Sequence, residues 1–328
     1  MSTPQDSISA RMRLANAVIP QVPNFTLAGL YIFLNVFQFF ILPLFLLPRS
    51  MRWALLLVPL ALTNNPFFAL IHEAVHGQFS ASRAVNSAFG RILSVFFGSS
   101  FRVLRWSHLS HHKFNRTTTE QGTEVYNPQE TSRLSAAFKY YFQIFAGLYL
   151  LEVLTPLAFL LPRALLQHFK PSLDPESGQR EWLMRNILTD EAIQEIRIDC
   201  VAVLFLFALI VMCYREHWRL LVAVSMVRAF LISFLDNVYH YATPLNFKDS
   251  GYNLWLPRTV SKALLYFNLH GVHHRHPNLP WSKLPQSYAA HHERFDCNYF
   301  RAALWQLWGP LPLPQVAEAA PIGNRPYR

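Results

Sequence analysis

Two apolar runs, residues 25–47 and 53–71, are separated only by Pro48-Arg49-Ser50-Met51-Arg52. As helices, runs of this length approach the roughly 30 Å hydrocarbon thickness of a bilayer. So short a link makes the second run return beside the first. The pattern recurs at residues 201–214 and 220–235, joined by Arg215-Glu216-His217-Trp218-Arg219. Spanning structure in a bilayer is helical or a closed barrel, and nothing here alternates like barrel strands. The expected fold is therefore all-α: a multi-pass membrane protein with two transmembrane helical hairpins, four spans in all, plus interfacial helices and a histidine-rich cap.

Composition agrees with a bilayer better than with water. Of the 328 residues 52% are hydrophobic and 15% charged, with a mean hydropathy of +0.16. We read one membrane domain over residues 1–328, with the cap at 72–198 and 240–308. Residues 1–23 are polar and proline-punctuated without an apolar core, so no cleaved targeting segment is expected. The loop at residues 174–178 is polar, and the proline-rich tail, 309–328, reads as disordered. Cys200, Cys213 and Cys297 are too few and too scattered for a disulfide framework or a thiolate metal site. No dinucleotide fingerprint, phosphate-binding loop or CxxC pair is present.

Residues 136–161 are apolar enough to raise the question of a fifth span. A fifth crossing would put the histidines near residue 240 and beyond on the opposite side from His72, and Lys139, Glu152 and Pro156 suit an interfacial or re-entrant helix. The net charge of +10 is explained by sidedness rather than by nucleic acid. Of the 29 Lys and Arg, 24 fall in the N-terminal tail, in 77–197 or beyond His240, four in the hairpin turns, and only Arg228 in a span. The histidine side is then cytoplasmic. Arg228 is costly at mid-span. It either pairs with Glu152 or Asp236 or snorkels, or it anchors a substrate carboxylate. Asn64, Asn65 and Pro66 either kink the second span or line a substrate path.

On that side the chain gathers histidines at helical spacing. His72-Glu73-Ala74-Val75-His76 closes the first hairpin. His108, His111 and His112 share one spacing with His270, His273 and His274, and His240 follows the last span. Positions three or four apart lie on one helix face, whereas the neighbours His111 and His112 diverge by roughly 100° and suit two ions rather than one. Nine imidazoles exceed what one ion takes, and neutral imidazole suits Fe, Zn, Cu or Ni alike. His168, His217, His276, His291 and His292 read as ordinary surface or core residues. A rival reading takes residues 72–76 as the HExxH of a membrane zinc metallopeptidase with Glu73 as base, which leaves both triplets unused. A histidine-lined metal carrier would spread its ligands through the spans instead of collecting them at one face.

The ordered set HxxxH, HxxHH, HxxHH, bracketed by two transmembrane hairpins from about Phe25 to His274, resembles the membrane fatty acid desaturase and hydroxylase superfamily. The resemblance implies a non-haem di-iron centre held by His72, His76, His108, His111, His112, His270, His273 and His274, with His240 as the extra ligand after the last span. Asn237 and Asp236, Asn115 after the second box, and Glu73 become outer-layer candidates, with Glu120 and Glu124 nearby in sequence. It implies two iron ions with O2 as co-substrate, a fatty acid or acyl substrate, and a separate ferredoxin-, rubredoxin- or cytochrome-type electron donor with its reductase. The outcome implied is desaturation, with hydroxylation of a lipid, alkane or carotenoid and oxidative decarboxylation to a terminal alkene as alternatives. The short chain without a fused cytochrome points to a bacterial inner membrane enzyme.

Overall fold

The structure is a computed structural model and describes residues 18–166, 168 and 178–317; the start of the N-terminal tail, residues 174–177 of the polar loop and the end of the C-terminal tail lie outside it. Nearly all of its regular structure is helical. The helices that matter for the site are α1 (Gln21–Leu46), α2 (Met51–Val75), α3 (Arg83–Phe97), α4 (Phe101–Phe114), α5 (Arg133–Ala158), α6 (Gln179–Ile187), α7 (Asp190–Tyr214), α8 (Trp218–Asn237) and α9 (His270–Arg275).

The first hairpin forms as expected, each helix running a few residues beyond the apolar run. In the second, α7 and α8 are one continuous helical stretch, Asp190–Asn237, reversed by a single 3-10 turn at Arg215–His217. The 3-10 turn is shorter than the five-residue link, because the helix restarts at Trp218 itself. Thr189 caps α7, its hydroxyl accepting from Ala192 N, and Asp190 and Glu191 complement the positive end of the helix. Away from the histidines the hairpins are tied by Phe39, Leu42, Ile210, Tyr214 and Leu221, with Tyr214 Oη donating to Gln38 O at 2.8 Å. That end holds the bundle together and leaves the other end free to carry the site.

Among the described residues, four helices are long and apolar enough to cross a membrane: α1, α2, α5 and the joined α7–α8. The inclusion of α5 departs from the expected set of spans. Its neighbours, however, place both of its ends at the histidine-proximal level. Tyr140 donates to Gln306 O, Tyr149 N to Ser233 near the end of α8, and near its own end Pro156 O receives Cys200 Sγ near the start of α7. Since α7 and α8 are antiparallel, the start of one and the end of the other are at the same height. α5 therefore lies across the bundle beneath the cap.

Thr63 breaks α2 into two helical pieces. Asn64 Nδ2 returns to Ala61 O and Asn65 Nδ2 donates to Leu231 O, so both amides satisfy the break and its neighbour. Below it the core packs Phe67, Leu70, Ile71 and Ala74 against Leu93, Phe97, Phe101 and Leu104, all buried. α3 starts at Ser82, whose hydroxyl accepts from Val85 N, and stops at Gly98, where φ is 100°. Such a left-handed stop suits glycine and turns the chain sharply into α4.

Two parallel two-residue ladders tie the cap. β1 (Val125–Tyr126) pairs with β4 (Leu311–Pro312), and β2 (Leu254–Trp255) with β3 (Cys297–Asn298). The first ladder corrects the expectation of a disordered tail. Gly309 to Ala317 is docked, with Tyr241 Oη donating to Gly309 O and Val316 buried. Proline content does not prevent docking where a second strand supplies the hydrogen bonds.

Candidate metal centre

α2 delivers His72 in its last turn and His76 just past its end, four residues apart and therefore on one face. α4 brings His108 and His112 on the face towards them and His111 on another face. α9 adds His273 to the first face and turns His270 and His274 the other way. The nine histidines form two groups whose ligand atoms lie within 4.8 Å of one another: His72, His76, His108, His112 and His273 in the first, and His111, His240, His270 and His274 in the second. The spacing ambiguity resolves as i, i+4 in both triplets, and the leftover members, His111 and His273, cross to the opposite group.

The groups touch through His112 and His274, whose rings stack at 4.3 Å. Within each group the Nε2 atoms converge: His112 on His108 and on His273 at 3.0 Å each, His240 on His270 at 3.0 Å and on His111 at 3.2 Å. A neutral imidazole carries one N–H, so an Nε2 facing two others cannot satisfy both by hydrogen bonding. His72 Nε2 and His76 Nε2 are buried with no partner among the described residues. Converging lone pairs and orphaned nitrogens fit two cations with nitrogen ligands.

Burial pushes His76, His108, His240, His270, His273 and His274 far below the ordinary histidine value, and their neighbours push the same way; His112 is lowered to about 3. These imidazoles are neutral at physiological pH, the form a metal needs. His111 is the exception. Burial lowers it, but the charge and hydrogen bond of Glu120, with Asp236, raise it overall. Its Nδ1 lies 2.7 Å from Glu120 Oε1, and Gln179 donates to the other oxygen of that carboxylate.

The family model for fatty acid desaturases matches residues 48–308, a stretch that contains all nine of these histidines. The chain belongs to the fatty acid desaturase family. Members are oxidoreductases that act on fatty acids, and this chain is an enzyme of that class. No curated protein and no solved structure was found to match it.

Around the desaturase histidines, the outer layer is only partly the one expected. Glu73 has no hydrogen bond to a ligand histidine among the described residues, and its Oε2 accepts from Trp281 N at 3.0 Å. Asn115 ties Lys248 O and Ser250 O at 2.8 Å each and only approaches His274 Nδ1, at 3.5 Å. Asn237 acts through its backbone, accepting from His240 N, while its amide bonds Thr123 and Gln306. Asp236 reaches His111 by charge alone. Glu120, from the same stretch as the second box, is the carboxylate that bonds a ligand histidine.

Arg116 and Glu124 are buried together at 2.7 Å, and the same guanidinium donates to His240 O. Glu124 Oε1 also accepts from Ala242 N, so the pair buckles the turn that presents His240. Inside the third box Gly271 packs so closely on Gly251 O that a Cβ there would collide with it. Asn253 Oδ1 receives Val272 N at 3.0 Å. The missing side chain of Gly271 inside an otherwise bulky box is the sequence signal for this contact.

Arg228, expected to meet Glu152 or Asp236, hydrogen-bonds neither. Its Nε, Nη1 and Nη2 go to Asn64 Oδ1, Phe96 O and Asn35 Oδ1 at 2.7, 3.1 and 2.9 Å. Two amides from the first hairpin thus hold a mid-span cation of the second. Beside the second group a cavity is lined by Asn65, Phe68, Asp236, Tyr239, Phe267 and Tyr299, among others. Its wall is also the backing of the site, since Tyr239 stacks on His270 at 4.7 Å and Phe267 lies 5.0 Å from both His72 and His270.

Proposed function

We propose that this enzyme is an O2-dependent, non-haem di-iron desaturase that introduces a double bond into a fatty acyl chain. The observation that carries it is the division of the nine histidines: adjacent residues of one helix, His111 with His112 and His273 with His274, belong to different groups, which would suit two ions rather than one. His72, His76, His108, His112 and His273 would hold one iron, and His111, His240, His270 and His274 the other. Reduced non-haem iron supplies O2 activation strong enough to break an unactivated C–H bond.

The chain's own residues hold, orient and exclude. Glu120 fixes the tautomer of His111 with its Nε2 towards the second ion. Phe267 and Tyr239 keep water from the inner side of the centre. The substrate loses two hydrogens and O2 leaves as two waters, so a separate donor must supply two electrons per double bond, together with two protons. A ferredoxin-, rubredoxin- or cytochrome-type carrier with its reductase fits. The basic residues of the cap, Lys113 among them, give an acidic carrier a docking field. Their bias supports a centre on the cytoplasmic side, in what we take to be a bacterial inner membrane.

Glu73 argues against peptide hydrolysis, because its carboxylate is engaged by Trp281 N. The test supplies the purified enzyme with a reductase system, O2 and fatty acids of several chain lengths. An O2-dependent unsaturated product is the expected result. An alcohol, or an alkene formed with release of CO2, would replace desaturation by one of the other outcomes. No O2 consumption with any acid would remove the proposal.

A further inference from the structure

Arg228 and Arg105 are partnered in opposite ways. Arg228 spends its guanidinium on three oxygens. Arg105, one turn before His108 in α4, has no hydrogen-bond or ion-pair partner among the described residues, and its Nε is buried. At i, i+3 and i, i+7 it shares the helix face of His108 and His112, both in the first histidine group.

Its surroundings are cationic. Arg83 and Arg102 are close enough to act on it unfavourably, and the carboxylate acting on it, Glu195, is already bonded to Arg102 at 2.8 Å. Glu195 lies within the second turn of α7, so this cluster sits at the histidine-proximal edge of the apolar bundle. That is the height at which the head of an amphiphile rests while its tail stays in the apolar layer. A half-buried guanidinium whose nearby carboxylate is already bonded elsewhere gains from an anion that completes it.

We propose that Arg105, with Arg83 and Arg102 around it, is the anion site that holds the carboxylate of a free fatty acid beside the first histidine group. The proposal rests on the enzyme's acting on fatty acids and names the headgroup it takes: a carboxylate, rather than a thioester or an ester. It moves the anchor from Arg228, whose donors are spent, to Arg105. A guanidinium offers a carboxylate two parallel N–H donors, which a neutral ester oxygen cannot use as well. The same chemistry would also accept the phosphate of an anionic lipid, and the test separates the two.

The iron-loaded enzyme is placed in phosphatidylcholine nanodiscs, and binding of laurate and of methyl laurate is measured for wild type, Arg105→Gln and Arg105→Lys, with iron counted in each. Wild type should bind laurate about tenfold more tightly than the ester, the difference expected for one charge-assisted hydrogen-bonded contact. Arg105→Gln should lose that preference while keeping its iron and its affinity for the ester, and Arg105→Lys should keep part of it. Equal binding of acid and ester by wild type, or an unchanged preference in Arg105→Gln, would overturn the proposal. So would loss of iron in Arg105→Gln, which would make the residue a support for the histidines. In discs containing phosphatidylglycerol the laurate preference should persist; its disappearance there would assign the site to lipid phosphate. Iron is counted separately from binding, so failure of the di-iron reading would not be mistaken for failure of the anion site.

Discussion

The two histidine groups use the same ligand chemistry but are held differently. In the first, four of the five members, His72, His108, His112 and His273, sit inside helices, and the fifth, His76, caps one. Helix geometry alone aims these side chains. The second group takes His240 from a turn after α8 and depends on neighbours that are not ligands: Glu120 on His111, and the Arg116–Glu124 pair under His240. A group built on helices tolerates changes around it, whereas one that includes a loop residue is as firm as the contacts holding the loop. Changes in the outer layer should therefore act mainly on the second group.

Removing a ligand from either side should have the largest effect. His111→Ala and His273→Ala should each abolish turnover and lower iron from about two to about one per chain, with membrane insertion intact, as read by metal analysis of the detergent-purified protein. Arg116→Met comes next, because it leaves the Glu124 carboxylate buried without its partner. A loss of roughly 3–5 kcal/mol is expected for breaking such a pair, seen as a lower denaturation midpoint, with iron lost from the second group first. An equal loss from both groups would dissolve the distinction.

Gly271→Ala should cost on the order of 1–3 kcal/mol by overpacking, since the new methyl meets Gly251 O. It acts on both groups, because α9 carries His270, His273 and His274, and it therefore serves as the control for selectivity. Glu120→Gln keeps the volume and removes the charge from His111. Metal affinity or activity should fall about 10- to 100-fold, again on the second group, as followed by chelator competition. Glu73→Gln should be the mildest change, within a few-fold of wild-type turnover, because an amide oxygen can still accept from Trp281 N. A dead Glu73→Gln enzyme would return Glu73 to the chemistry.

How much of this was legible in the sequence follows the same division. In the first group the pairing of His72 with His76 could be read from spacing, because i, i+4 on a helix is a local property, and the divergence of His111 from His112 follows from 100° per residue; the choice of His112 for His108 and the crossing of His273 could not. The hairpins were legible for the same reason. The partners of the second group were legible only as candidates, Glu120 and Glu124 near the second box, since the contacts that fix them, Glu120 with Gln179 and Arg116 with His240, join segments far apart in the chain. Arg228 shows the limit most clearly. Charge suggested Glu152 or Asp236, but the backbone brought Asn35 and Asn64 closer, and hydrogen bonding to neutral oxygens settled the cation. Composition misleads for Gly309 to Ala317, because the ladder of Leu311–Pro312 with Val125–Tyr126 is a long-range pairing.

The measurement that bears most directly on the centre is the metal content of the purified chain, counted by element. The account predicts about two irons per chain, falling to about one when either group loses a ligand. A single zinc per chain that survives His111→Ala would contradict it, and would leave the second histidine group without a metal to hold.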